Sequence, residues 1–147
     1  MTWVKVCGMT SAEECAAAID AGVDALGFIV DVPIASPRAI PVERARRLCA
    51  DLPSSVTSVL VTMPSDPSRL VELIRSVPVD AVQLHGTDDP VTVEAMATAI
   101  ERPIIVAASC DDPDVDRLVH AADALLVDTP GRSGRGENPF EATHSRE

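Results

Sequence analysis

A chain of 147 residues, 46% apolar but only 2% aromatic, can bury one aliphatic core and is too short for two domains of ordinary size. Its 23 acidic residues against 12 basic ones leave a formal net charge of −11, which repels phosphate backbones and anionic lipid and argues against nucleic acid or a membrane as partner. Eleven of the twelve cations are arginine and Lys5 is the one lysine, a balance that suits an ordinary soluble acidic protein or one from a salt-loving host.

The first apolar run, Trp3–Cys7, ends on a thiol, and Gly8 follows at once. Thr10 and Ser11 then precede Glu13 and Glu14, a loose capping box for a helix near residues 11–21. A thiol between a strand end and a helix N-terminus can be held partly as thiolate and act as base or nucleophile, with Gly8 leaving room for a substrate. An inert buried cysteine satisfies the same pattern. That alternative fits Cys15 and Cys49 better, because both fall inside helical patterns; Cys110, in a loop, is assigned nothing. No C-x-x-C and no zinc-ligand spacing occurs, so neither a metal site nor a disulfide framework is expected. Residues 1–20 lack a signal-peptide pattern and no apolar run approaches ~20 residues, so a cytoplasmic protein with reduced thiols is the expectation.

The second run, Ala25–Val30, leads into DVPIASPRAIP (31–41), a loop stiffened by three prolines with Arg38 as its only cation. Such an arginine suits a bidentate grip on a carboxylate or phosphate; a solvated or salt-bridged surface arginine is the alternative. A helix near 42–51, the run Val56–Thr62 and a helix over 67–76 follow, the last announced by Ser65-Asp66-Pro67. The fourth run, Ala81–Leu84, ends in QLHG. There Gln83 and His85 can orient a substrate, or His85 can serve as acid or base or be a satisfied structural histidine. Asp88-Asp89-Pro90 opens a helix over 89–101, Ile104–Ala108 is the next run, and Asp111-Asp112-Pro113 opens a helix over 112–121. The sixth run, Ala124–Val127, is followed by Asp128, a carboxylate at a strand tip that can be a general acid or base or a turn cap. His120 at a helix end and His144 in the tail are expected to be neither ligands nor catalysts.

Short apolar runs alternating with helices specify βα repeats and a parallel sheet. AGVDALGFIV (21–30), VPVDAVQLHG (77–86) and AADALLVDTP (121–130) echo one another, so one unit is used several times. Their aspartates, Asp24, Asp80 and Asp123, read simply as turn residues ahead of strands. The expected fold is α/β, of the (βα)8 TIM-barrel type, with about six βα units present and the last two missing. Residues 1–128 form that incomplete barrel and 129–147 a Gly-rich polar tail; strands one and six are then exposed edges open to self-association.

Four ordered motifs resemble those of the phosphoribosylanthranilate isomerase family of tryptophan biosynthesis. They are KVCGMT (5–10), DALGFIV (24–30) with SPRAI (36–40), DAVQLHG (80–86), and DALLVDT (123–129) followed by GRSGRG and Phe140. The resemblance implies a (βα)8 enzyme without cofactor. Its small-molecule phosphosugar-anthranilate substrate, N-(5-phosphoribosyl)anthranilate, becomes 1-(2-carboxyphenylamino)-1-deoxyribulose 5-phosphate in an Amadori rearrangement. It implies Asp128 as general acid at the furanose ring oxygen, Cys7 as general base at sugar C2, Arg38 on the anthranilate carboxylate, and Gln83, His85 and Gly8 about the substrate. It also implies a phosphate grip in two further βα units, which nothing in 129–147 is similar to. The alternative is a non-catalytic fragment or half-barrel module that needs a partner chain. Kinship with indole-glycerol-phosphate synthase, which works through lysines, is disfavoured because Lys5 lies within the first strand.

Overall fold

A computed structural model of the chain describes residues 2–87, 89–109 and 112–128, with Asp128 described by its backbone only. The apolar runs become strands and the stretches between them helices. In chain order these are β1 (Lys5–Cys7), α1 (Ala12–Asp20), β2 (Ala25–Ile29), α2 (Val42–Ala50), β3 (Thr57–Thr62), α3 (Pro67–Ser76), β4 (Ala81–Leu84), α4 (Pro90–Ala99), β5 (Ile104–Ser109), α5 (Val115–Ala121) and β6 (Ala124–Asp128). The helix starts follow their side chains. Asp66 accepts the Arg69 N–H at 3.0 Å ahead of Pro67, and Asp89 accepts the Thr92 N–H at 2.9 Å ahead of Pro90. The helix expected over 112–121 begins only at Val115. Asp112 Oδ1 accepts the Asp114 N–H at 2.8 Å, and Asp112 O accepts the Val115 N–H. The Asp-Pro segment therefore forms a turn before the helix, and Pro113 precedes the N-cap.

Every strand pairing is parallel and the sheet order is β1-β2-β3-β4-β5-β6. Each helix thus returns the chain to the immediate neighbour, and because such crossovers are right-handed all the helices lie on one face. A doubly wound sheet reverses its order at a switch point and carries helices on both faces. Here strand residues Leu26, Phe28, Leu60, Val82 and Ile104 pack with Leu48, Leu70, Leu73, Met96 and Leu118 of the helices. The other sheet face holds only a small cluster of Ala25, Val59, Val61 and Ala81, flanked by Ile29 and Ile105. That is the inner wall of a barrel-type sheet, six units long. Within the described residues β1 and β6 each pair on one side only, and Trp3, Val4, Leu126 and Val127 at these edges are exposed. No described helix is long and apolar enough to cross a membrane.

The three echoed aspartates do more than turn the chain, which corrects the sequence reading. Asp24 N–H donates to Val4 O at 2.9 Å while Asp24 Oδ2 accepts the Val4 N–H at 2.7 Å. Asp80 makes the same pair with Ser58 at 3.0 and 2.8 Å, and Asp123 with Ile104 at 2.9 and 2.8 Å. Each aspartate closes a two-bond ring on the start of the preceding odd-numbered strand. It thereby satisfies an N–H at the sheet's N-terminal rim with a charge-assisted bond. The rings join β1 to β2, β3 to β4 and β5 to β6; among the described residues no aspartate carboxylate closes such a ring between β2 and β3 or β4 and β5.

Ion pairs engage Glu14, Asp31, Glu43, Glu72 and Asp114, so most of the 23 acidic residues have no cationic partner among the described residues. Mutual repulsion among them is screened by salt. Raising KCl from about 0.1 to about 2 M is expected to lift the thermal midpoint by about 5 °C, read by circular dichroism. A falling midpoint would show that surface repulsion does not limit stability.

Candidate active site

In βα-barrel folds the chemistry sits at the C-terminal strand tips, and the first of these is Cys7. Cys7 is exposed and in register with Gly27 of β2. A Cβ at Gly27 would stand 3.0 Å from Cys7 Sγ, 3.2 Å from Cys7 Cα and 3.3 Å from a methyl of Val61. The thiol therefore lies on the inner wall, in the room that Gly27 leaves, with Val61 beside it. Gly27 was not singled out in the sequence; a glycine inside a strand pattern is the signal that could have found it. Alanine at Gly27 is expected to cost about 1–2 kcal/mol in urea unfolding, because the sulfur can turn aside but Cys7 Cα cannot. It should also slow any Cys7-dependent turnover about 10-fold. Wild-type stability and rate in Gly27→Ala would show that the gap is incidental.

The chain turns over β2 after Cys7: the Gly8 and Met9 N–H groups both donate to Gly27 O, at 2.9 and 3.0 Å. Gly8 has φ +84°, and a Cβ there would meet Arg38 Cβ at 3.3 Å, Cγ at 3.4 Å and Cδ at 3.6 Å. What Gly8 admits is thus the Arg38 stem, which crosses the β1 tip from the β2–α2 loop. Arg38 Nη1 donates to Glu14 Oε1 at 2.6 Å and lies 3.5 Å from Gly8 O. Arg38 is therefore salt-bridged, and its side chain remains half exposed. Glu14 Oε2 accepts both the N–H and the hydroxyl of Thr10, at 2.8 and 2.9 Å, while Ser11 Oγ accepts the Glu14 N–H at 3.2 Å. The capping box is present, and its glutamate also reaches the arginine loop.

That loop is rooted at both ends. Ile40 N–H donates to Ile29 O at 2.9 Å. Asp31 has φ +56°, a left-handed backbone uncommon outside glycine. Its two carboxylate oxygens take the Arg69 fork at 2.8 and 3.0 Å, which holds the Asp31 carboxyl below the usual carboxylate range. The other described cysteines offer no rival site. Burial raises the Cys15 thiol and pushes Cys49 up to about 12, so both stay protonated thiols, as their helical positions suggested. Cys110 lies outside the described residues.

Gln83 is buried on the inner wall between Val61 and Ile105, and its Oε1 has no hydrogen-bond partner among the described residues. An unmet acceptor facing the barrel interior is a place for a polar ligand group. His85, half-buried, follows β4 and donates its N–H to Thr62 O at 3.1 Å. Asp128 ends β6 in register with Ser109; its carboxylate lies outside the described residues, as do the GRSGRG segment, Phe140 and His144. His120 is exposed in the last turn of α5. Two clefts of about 480 and 450 Å³ open at the other end of the sheet, beside Asp123 and Asp80, and include none of the strand-tip residues. The structure thus brings Cys7, Gly8, Gly27, Arg38 and Glu14 together, with Gln83 further along the same wall.

Residues 4–139 match the family described as N-(5'phosphoribosyl)anthranilate (PRA) isomerase. The N-(5'-phosphoribosyl)anthranilate isomerase of Halobacterium salinarum is 49% identical over 137 residues, which cover 92% of this chain and 62% of that protein. Its counterpart in Halorubrum lacusprofundi is 43% identical, with 92% and 64% covered. The chain therefore spans less than two thirds of the length of these curated relatives. Among solved structures, the phosphoribosyl anthranilate isomerase of Thermotoga maritima superposes with a TM-score of 0.76 at 31% identity, over 94% of this chain and 67% of that one. A phosphoribosyl anthranilate isomerase in complex with reduced 1-(o-carboxyphenylamino)-1-deoxyribulose 5-phosphate gives 0.74 at 32% identity, over 88% and 66%.

Proposed function

The chain belongs to the N-(5'-phosphoribosyl)anthranilate isomerase family, and we propose that its strand tips isomerise N-(5-phosphoribosyl)anthranilate in tryptophan biosynthesis, in the cytoplasm. In this reading Arg38 holds the anthranilate carboxylate, and Gln83 and His85 line the sugar. Asp128 protonates the furanose ring oxygen. The ring C–O bond breaks with its electron pair going to that oxygen, and the anilino nitrogen lone pair forms a C1=N bond. The Cys7 thiolate then takes the C2 proton, the C–H electrons move into C1=C2, and the C1=N π pair returns to nitrogen, which gives an enolamine. Protonation at C1 and loss of the C2 hydroxyl proton leave the ketone. Electrons pass only from C2 to C1, so the rearrangement consumes no oxidant, reductant or cofactor.

The observation that carries this reading is the Cys7 thiol, exposed on the inner wall in the gap left by Gly27, with the Arg38 stem crossing over Gly8 beside it. A base and an anion-binding guanidinium side by side are what this substrate asks for. The test is loss of anthranilate fluorescence on adding the protein. The 147-residue chain is expected to turn over slowly, and a version extended with two βα units of a relative at an enzymatic rate. No Cys7-dependent change in either form would overturn the reading.

The exposed residues Trp3, Val4, Leu126 and Val127, at edges that pair on one side only among the described residues, favour a second reading, a module that joins a partner chain or a second copy. Light scattering separates the two: concentration-dependent association of the 147-residue chain, lost in the extended version, supports edge pairing.

A further inference from the structure

A long exposed arginine gives up rotamer freedom when it grips a ligand, unless something has already fixed it. Two contacts fix Arg38. Its methylenes lie on Gly8, where no Cβ intervenes, and its Nη1 donates to Glu14 Oε1 at 2.6 Å. Glu14 cannot swing away, because its other oxygen accepts two bonds from Thr10 at the start of α1. The Thr10 N–H, the Thr10 hydroxyl and Arg38, in that order, hold the Glu14 carboxyl below its usual range, so it stays an anion near neutral pH. The remaining guanidinium nitrogens, Nη2 and Nε, have no partner among the described residues. A planar fork held by one nitrogen still offers an edge to a second carboxylate.

We propose that Glu14 is a positioning residue: by holding one nitrogen of Arg38 it aims the free edge at a substrate carboxylate, and so sets the preference for a carboxylate-bearing ring. This rests on Arg38 as the carboxylate-binding residue of the proposed reaction. A network of this kind reaches across 24 residues from α1 to the β2–α2 loop and has no other task in the loop's backbone bonding.

The test is calorimetric binding of two probes to the 147-residue chain: reduced 1-(o-carboxyphenylamino)-1-deoxyribulose 5-phosphate and its phenylamino counterpart without the carboxylate. Glu14→Gln keeps an oxygen for Thr10, as capping boxes allow, and puts an amide donor against Arg38. It is expected to keep the wild-type unfolding midpoint, to bind the carboxylate probe about 3- to 5-fold more weakly and to bind the other probe unchanged. Glu14→Asp, one methylene too short to reach both Thr10 and Arg38, is expected to lose affinity in the same direction. An unchanged preference ratio in both variants, or tighter binding of the carboxylate probe, overturns the role of Glu14. If wild type shows no preference, or Arg38→Ala keeps it, the reading of Arg38 itself fails and the proposal with it.

Discussion

Serine in place of Cys7 is expected to lower the isomerisation rate at least about 100-fold while leaving the fold intact, the size of effect that loss of a positioned general base produces. The two side chains are close in volume, and Cys7 is exposed, so packing changes little. What changes is basicity: a hydroxyl does not supply an anion near neutral pH, whereas a thiol does so in part. The measurement is loss of anthranilate fluorescence at saturating substrate, made in the extended protein so that substrate binding does not limit the signal. Asp128→Asn is expected to fall by a similar factor, because an amide cannot donate the ring-opening proton as a carboxylic acid does. A normal rate in either variant removes that residue from its role.

Asp80→Ala is expected to destabilise the protein by about 2–3 kcal/mol, and Asp24→Ala by about 1 kcal/mol or less. Both aspartates make the same ring with a neighbouring strand, but their surroundings differ. Asp80 Oδ2 takes the N–H of Ser58 at 2.8 Å and its hydroxyl at 2.7 Å, and Ser58 is only 4% exposed. Alanine takes this acceptor from both donors of a buried serine. The ring of Asp24 with Val4 is exposed, so water replaces the lost carboxylate. Urea denaturation with unchanged slope checks the difference. Equal losses at the two positions would show that burial does not set the strength of these rings.

The strand and helix pattern was legible because each element carries its own local signal. Apolar runs such as Ala81–Leu84 and cap-plus-proline pairs such as Asp66-Pro67 need no tertiary information. The start of α5 was misplaced because Asp112 can cap a helix or close a turn, and only the later chain decides which. Cys7, Gln83 and His85 stood out as polar residues at the ends of apolar runs, and Arg38 as the only cation of a proline-stiffened loop. Their supports did not. Gly27 matters only because β1 lies beside β2 in a particular register. Glu14 was visible as a cap residue, but its reach to Arg38 crosses from one βα loop to the next. Asp31 looks like any loop aspartate until its left-handed backbone and the Arg69 fork are seen together. The echoed aspartates were noticed as a repeat and underrated, since a carboxylate that locks a neighbouring strand reads in sequence like one that merely turns the chain.

The aspartate rings give the sheet a grain. Strands are stitched in couples, and among the described residues no carboxylate ring crosses the seams between couples. A break placed in the 51–56 or 100–103 segments spares every stitch, whereas one at 21–24 or 77–80 cuts into one. Copying a whole couple adds a latch along with its strands. A gene for such a sheet can therefore lengthen by duplication in steps of two strands, and each new step arrives already fastened.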